Sequence, residues 1–240
     1  MKWEVQVSGD AHDLRELAKS LINDDLRIIE RNGHFFLETI RFSNLTTPEK
    51  ITAVTLDLLP ILTGAARLSL GGRTPLQIAN IAKVREDGDR DVFASLSDTI
   101  HARDTVSIKK TRSDGSIEAV RPADKVPDWI NAASKNPNVE KALRLIGTDE
   151  HDWISLYRLY EVIEADVGGI DKIVSEGWAT KKTIKRFKHT ANSPGAIGDS
   201  ARHGKESSDP PADPMDLGEA VSLVKVILHN WLRSKLIKNT

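Results

Sequence analysis

The chain has 240 residues, with 34 Lys and Arg against 35 Asp and Glu, so its formal charge near neutral pH is −1. This balance excludes a surface that is basic throughout, which general attraction to nucleic acid or anionic lipid requires. The 39% hydrophobic and 29% charged residues are typical of a globular protein rather than a disordered chain. The absence of cysteine excludes disulfides, thiol nucleophiles and thiolate metal sites.

The N-terminal sequence alternates polar and apolar residues and lacks the long apolar run of a signal peptide. The most apolar stretch, residues 51–70, is interrupted by Asp57, Pro60 and Arg67, so we do not expect it to span a membrane. We therefore predict a cytoplasmic protein without membrane association. Phosphate-loop, dinucleotide-binding, HExxH and GxSxG motifs are all missing from the sequence, and we expect no cofactor.

The first half of the chain predicts strands and helices in alternation. Residues 1–7 show the two-residue period of a strand, and Asp10 can cap the helix that follows. Two further strands, 26–30 and 34–42, flank Asn32-Gly33, a dipeptide typical of a tight hairpin turn. This part of the chain therefore predicts the order β-α-β-β.

A second helix and two strand pairs complete the first region. The helix is expected to begin at Thr46-Thr47-Pro48-Glu49, where a threonine cap, an early proline and a capping-box glutamate coincide. Pro60 should end or kink it, because proline cannot donate the helical hydrogen bond. Further strands are predicted at 76–85, 91–96, 106–110 and 116–120. The simplest packing places two helices on one face of an antiparallel sheet, so we predict an α+β, ferredoxin-like two-layer sandwich over residues 1–121.

Residues 122–240 predict a helical bundle. The proline-containing run 121–127 interrupts the strand pattern and marks the domain boundary. Helices are predicted near 127–134, 136–147, 149–167 and 179–190, and from 216 towards the end of the chain. The polar segment 191–214 has no periodicity and is predicted to form a long loop, a feature that is usually functional or disordered.

The strongest functional signal is a basic segment on the helix before this loop and in the loop itself. From Trp178 to Glu206, seven Lys and Arg stand against two acidic residues. Arg can hold phosphate with two donors, His can move a proton near neutral pH, and Asn supplies an oriented amide. We therefore predict a site for nucleic acid or a phosphorylated ligand. Its predicted ligand-binding residues are Lys181, Lys185, Arg186, Lys188, Asn192 and Lys205.

The run 186–192, continued by Ala201-Arg202-His203-Gly204, resembles a signature of bacterial two-domain proteins and the polar helix–helix junction of HEPN domains. These domains are helical bundles that include metal-independent ribonucleases and nucleotide-binding modules. The resemblance implies three catalytic residues. His189 and His203 would transfer protons, and Arg202 would stabilise the developing charge of a phosphorane.

Two Arg–His pairs also fit the HEPN nuclease motif, in which four to six residues separate Arg from His. They are Arg27 with His34, across a predicted strand and turn, and Arg144 with His151, at a predicted junction between helices. The acidic residues beside His151 lie in the first turn of a helix, where the helix dipole stabilises them. We therefore predict no metal site.

Three functions are left open by the sequence. The first is a binding module for RNA, DNA or another phosphate-bearing ligand, and the second is a HEPN-like ribonuclease. The third is a non-catalytic structural or interaction protein, with a protein partner or a homo-oligomer, whose loop orders in a complex. The acidic face of the helix at 149–167 could also pair with the basic helix, which would neutralise the basic segment within the protein.

Overall fold

The computed structural model describes residues 2–23, 25–72, 74–85, 89–95, 108–111, 117–120, 125–148, 152–203 and 209–237. The chain divides into two compact units, Met1–Asn131 and Ala132–Thr240. The boundary predicted from the sequence falls at residues 121 and 122, which lie outside the described residues.

The first unit contains the strands and two long helices. In chain order the strands are β1 (Lys2–Ser8), β2 (Ile22–Asn23), β3 (Leu26–Arg31), β4 (His34–Thr39), β5 (Gln77–Val84), β6 (Arg90–Ser95), β7 (Ile108–Thr111) and β8 (Ile117–Val120). The helices are α1 (Ala11–Ser20) and α2 (Pro48–Leu70). Within the described residues, β1 to β6 form one antiparallel sheet in the order β2-β3-β4-β1-β5-β6, while β7 pairs with β8 in a separate sheet.

The N-terminal cap of α1 and the turn between β3 and β4 form as the sequence predicts. The Asp10 carboxylate accepts hydrogen bonds from the backbone N–H of His12 (2.9 Å) and Asp13 (3.1 Å), which caps α1. Asn32 (φ 52°) and Gly33 (φ 78°) form the tight turn between β3 and β4. Both of these predictions are confirmed.

Helix α2 departs from the prediction. It continues past Pro60 and ends at Gly71 (φ 69°), and the side chain of Thr47 makes no capping hydrogen bond. Of the two alternatives predicted for Pro60, an end or a kink, the end is wrong, because the helix continues to Leu70. The residues from Ile61 to Ala66 are all buried, and burial of their apolar side chains outweighs the loss of one helical hydrogen bond.

The strand predicted at 34–42 is also shorter than expected. It ends at Thr39, whose hydroxyl accepts a hydrogen bond from the backbone N–H of Arg41 (3.2 Å), and Ile40–Phe42 then forms a 3₁₀ turn. The turn buries Phe42 and leaves Ile40 63% exposed. A side chain that accepts from a backbone N–H two residues further on offers the chain an alternative to the sheet ladder.

Among the described residues, α2 is the helix whose length and mean hydropathy of 1.4 meet the requirements of a membrane span. Of that apolar window, 56% is buried inside the protein. A helix in the core of a folded domain meets the same requirements. The expectation of no membrane association, like that of a cytoplasmic location, therefore stays a prediction.

Helices make up the second unit, and α3 (Val126–Lys135) crosses the border between the units. The others are α4 (Pro137–Thr148), α5 (Trp153–Val167), α6 (Ile170–Ser175), α7 (Lys181–Ala191), α8 (Pro194–Ile197) and α9 (Leu217–Ile237). Tyr160, Phe187 and Trp231 are fully buried in its core. The chain is thus α+β, with strands towards the N-terminus and helices towards the C-terminus. Helices α6 and α8 were not predicted, and α8 lies inside the predicted loop 191–214.

Candidate functional site

Helix α7 carries most of the predicted ligand-binding residues. The Thr180 hydroxyl accepts a hydrogen bond from the backbone N–H of Thr183 (3.1 Å) and caps the helix. Phe187 faces inward and stacks near Trp153 and Tyr157, with ring centroids 6.2 and 5.8 Å away. This apolar inner face fixes the rotation of α7, so its basic residues lie along the other faces.

Two lysines of α7 pair with carboxylates of the preceding helices. Lys188 Nζ lies 3.0 Å from Glu164 Oε2 on α5, and Lys181 Nζ lies 2.7 Å from Asp171 Oδ1 on α6. The predicted pairing of the basic helix with the acidic face of α5 is therefore confirmed for Lys188. Lys185 is exposed and makes no ion pair with any residue that the structure describes.

Arg186 binds the chain that leads into α9. Its guanidinium donates to the backbone carbonyls of Asp213 (2.8 Å) and Pro214 (2.9 Å) and to both carboxylate oxygens of Glu219 (3.1 and 3.0 Å). The hydrogen bonds from Arg186 hold the pKa of Glu219 below its ordinary value. Glu219 also completes a capping box, because its carboxylate accepts from the Asp216 N–H (3.1 Å) while Asp216 accepts from the Glu219 N–H (2.7 Å).

Arg202 lies after α8, in the segment that connects α7 to α9. Its Nη2 lies 3.0 Å from Glu161 Oε1 on α5, and its guanidinium carbon lies 4.6 Å from the ring centroid of Tyr157. The backbone N–H of Arg202 also donates to the carbonyl of Ala191 (2.9 Å). These two side-chain contacts and one backbone hydrogen bond fix the position of Arg202 and of the chain beside it.

The two predicted catalytic histidines have different surroundings. His189 Nε2 hydrogen-bonds with the Asp209 carbonyl (2.9 Å), whereas His203 is exposed, with Nε2 3.5 Å from Arg202 Nη1. Asn192 Nδ2 donates to the Lys188 carbonyl (2.7 Å), and its Oδ1 is buried with no hydrogen-bond partner in the described structure. That unused group is an acceptor, so it offers no hydrogen-bond donor to a phosphate oxygen.

The structure describes only one of the two predicted Arg–His nuclease pairs in full, Arg27 with His34, and its strand register does not place the two residues opposite each other. Arg144 pairs with Glu140 one turn away on α4 (2.6 Å), while His151 lies outside the described residues, as does Lys205. In the hairpin, Arg27 lies opposite Glu38 and His34 lies opposite Arg31. A search of the described ranges finds no group of three or more His, Asp or Glu that could hold a metal ion.

Sequence reasoning missed a groove of about 650 Å³ beside α7 and α9. Its apolar lining includes Trp178, Leu223 and Val226. Its charged lining residues are Arg186 and Glu219, which pair with one another, and Asp216. Positions 219, 222, 223 and 226 of α9 follow the helical spacing i, i+3, i+4 and i+7. Because half of these residues are polar, the row resembles an ordinary solvent-facing surface in the sequence.

Comparisons of the chain with protein-family models, curated proteins and solved structures find no match. The resemblance to HEPN domains therefore stays a prediction.

Proposed function

We propose that this chain is a non-catalytic interaction protein whose basic residues hold its own C-terminal unit together. The observation that carries the proposal is that three cations of the predicted site, the catalytic candidate Arg202 and the ligand-binding candidates Arg186 and Lys188, pair with carboxylates of this protein. Arg202 attaches the chain after α8 to α5, and Arg186 attaches the start of α9 to α7. Lys188 joins α7 to α5. A phosphate would have to displace these contacts and leave the carboxylates Glu161, Glu164 and Glu219 without their cations.

The groove beside α7 and α9 is the surface that we assign to the partner. Val226, which lines the groove, is 50% exposed. Exposed apolar side chains arranged along a helix are the usual anchors for the apolar face of another helix. Arg186 and Glu219 pair with each other at its side, so the carboxylate of Asp216 is the remaining charge of the lining, beside the apolar side chains of Trp178, Leu223 and Val226. The occupant that we propose is therefore a helix of another protein that has an apolar face.

We further propose that the first unit is a ferredoxin-like sandwich. Without the short β2 and the edge strand β6, its sheet has the order β3-β4-β1-β5. Helix α1 connects β1 to the β3–β4 hairpin, and α2 connects that hairpin to β5. This is the β-α-β-β-α-β arrangement of the fold. Buried Trp3, Val5 and Val7 on one face of β1, with polar residues between them, support a sheet that is covered on one side.

The test compares Val226→Glu, in the groove, with Ile154→Glu, at a 41% exposed position of α5. The molar mass of each variant in solution is measured beside the unaltered chain of 26.5 kDa. Each tagged protein is also cross-linked in its native cells, and the captured proteins are compared. We expect Val226→Glu to abolish the cross-link to one specific protein that Ile154→Glu retains. Loss of a self-association instead would identify a second copy of this chain as the occupant.

Other outcomes would overturn the proposal. Identical masses and identical captured proteins for both variants would remove the groove as an interaction surface. RNA affinity that falls steeply with salt and is lost on Lys182→Ala/Lys185→Ala would establish the nucleic-acid function instead. RNA cleavage in EDTA that His189→Ala or His203→Ala abolishes would establish the ribonuclease.

A further inference from the structure

The groove beside α7 and α9 changes in character along its length. Its lining residues at the start of α9 are Asp216 and Glu219, and those further along the helix are Leu223 and Val226. At a rise of about 1.5 Å per residue, Asp216 and Val226 lie about 15 Å apart along the helix axis. The groove therefore has a charged end at the start of α9 and an apolar end about two to three turns further on.

Three carboxylates surround one cation at the charged end. Arg186 Nε lies 3.2 Å from Asp213 Oδ2, and Arg186 Nη2 lies 3.0 Å from Glu219 Oε2. The hydrogen bond with Glu219 raises the pKa of Arg186, and the negative charges of Asp213 and Asp216 raise it further. These four side chains carry two more negative charges than positive ones, so this part of the groove is acidic.

The negative charges at this end are more accessible than the positive one. The side chain of Asp213 is 84% exposed and that of Glu219 is 47% exposed, whereas that of Arg186 is 25% exposed. Asp216 is exposed too, and its carboxylate accepts from the Glu219 N–H (2.7 Å) and forms no ion pair with any residue that the structure describes. A molecule that enters the groove at this end therefore meets carboxylates.

Exposed lysines on the same two helices do not cancel this charge. Lys182 and Lys185 on α7 and Lys225 on α9 do not line the groove. Within the described ranges, none of the three forms an ion pair with the carboxylates around Arg186. Lys225 is the neighbour of Val226 in the sequence, so its positive charge lies towards the apolar end and adds to the difference between the two ends.

We propose that the partner helix in this groove carries Lys or Arg at the end that lies beside Asp213 and Asp216. This inference rests on the proposed function, because it names the charge of the same partner. The apolar face of the helix covers Leu223 and Val226, and its cation, about two to three turns away, meets the carboxylates that Arg186 does not neutralise. Such complementary charges select the partner and fix its register, because a carboxylate in the same place is repelled.

The test uses three synthetic amphipathic peptides of about 18 residues, which is about five helical turns. The peptides share one leucine face and differ at one end, which carries two Lys, two Gln or two Glu. Binding of each labelled peptide to the full chain is measured by fluorescence anisotropy. We expect the Lys peptide to bind about three- to tenfold more tightly than the Gln peptide, and the Glu peptide to bind most weakly. Added salt should reduce these differences, because it screens exposed charges.

Two double variants locate the effect. Asp213→Asn/Asp216→Asn should abolish the preference for the Lys peptide and leave the affinity for the Gln peptide unchanged, because asparagine at position 216 still caps α9. The matched control Glu140→Gln/Asp199→Asn removes two carboxylates from other parts of the second unit and should retain the preference.

The two proposals fail by different results. Equal affinity of the unaltered protein for the Lys and Gln peptides, or equal loss of the preference in both double variants, would overturn the inference about charge and leave the groove as an interaction surface. Failure of all three peptides to bind at millimolar concentration, or binding of the Gln peptide that Val226→Glu leaves unchanged, would overturn the proposed function and this inference with it.

Discussion

Asp166 is the residue at which a single substitution should most clearly weaken the second unit. This carboxylate of α5 is 7% exposed and joins three helices. Its Oδ1 accepts from Asn138 Nδ2 on α4 (3.0 Å), and its Oδ2 accepts from Trp231 Nε1 on α9 (2.7 Å) and pairs with Lys235. In Asp166→Asn, the amide NH₂ must face either Asn138 or the pair of donors from α9, so at least one donor is left unpaired.

The expected loss of folding free energy in Asp166→Asn follows from these contacts. A hydrogen bond to a charged group contributes about 1.5–3 kcal/mol, and loss of one partner of a buried ion pair costs about 3–5 kcal/mol. Lys235 recovers part of this cost, since its side chain is 21% exposed and also lies 5.7 Å from the ring centroid of Trp231. We therefore expect Asp166→Asn to lower the free energy of unfolding of the second unit by about 2–4 kcal/mol.

The effect should depend on pH in a defined direction. Burial alone would raise the pKa of Asp166, but its hydrogen bonds with Lys235, Asn138 and Trp231 outweigh burial and hold the pKa below its ordinary value of 3.8. A carboxyl whose pKa is lower in the folded state stabilises fully above its unfolded pKa, and the stabilisation disappears as pH falls through the folded pKa. The difference between the unaltered protein and Asp166→Asn should be constant near neutral pH and shrink below about pH 4.

Urea unfolding, followed by circular dichroism and by hydrogen exchange of the α9 amides, measures both quantities. Glu176→Gln is the matched control, because it removes a carboxylate from an exposed pair with Lys172 and should change stability by less than about 0.5 kcal/mol. A neutral-pH difference for Asp166→Asn as small as that of the control would refute the assigned role of Asp166. A difference that acid leaves unchanged would refute the pKa argument.

Two further substitutions test the local structure. Arg202→Ala should release the chain after α8 from α5, because it removes the ion pair with Glu161. Hydrogen exchange of the residue-202 amide should become up to about tenfold faster, and new protease cleavage should appear near residues 198–203. The control Lys185→Ala should show neither change. Equal protection in both variants would contradict the anchoring role of Arg202. Gly71→Ala should lower the free energy of unfolding by about 1 kcal/mol, because Gly71 caps the C-terminus of α2 at φ 69°, which is unfavourable for a residue with a Cβ. Thermal unfolding measures this change, and an unchanged midpoint temperature would contradict the prediction.

The elements that the sequence predicted correctly are those encoded by neighbouring residues. Asp10 caps α1 through N–H groups two and three residues away, and Asn32-Gly33 turns the β3–β4 hairpin within two residues. The capping box of α9 likewise joins Asp216 to Glu219, only three residues apart. Such interactions depend on side-chain chemistry and backbone sterics over one turn, so they can be identified before any packing is known.

Tertiary packing decided what the basic residues do. Arg186 meets Glu219 across 33 residues of chain, Lys188 meets Glu164 across 24, and Arg202 meets Glu161 across 41. Composition showed a local excess of positive charge, but the carboxylates that balance it come from other helices. Burial also carried α2 past Pro60, which sequence reasoning treated as a stop or kink. The energy of an ion pair or a buried face depends on distance and desolvation in three dimensions, and neither is a property of sequence spacing.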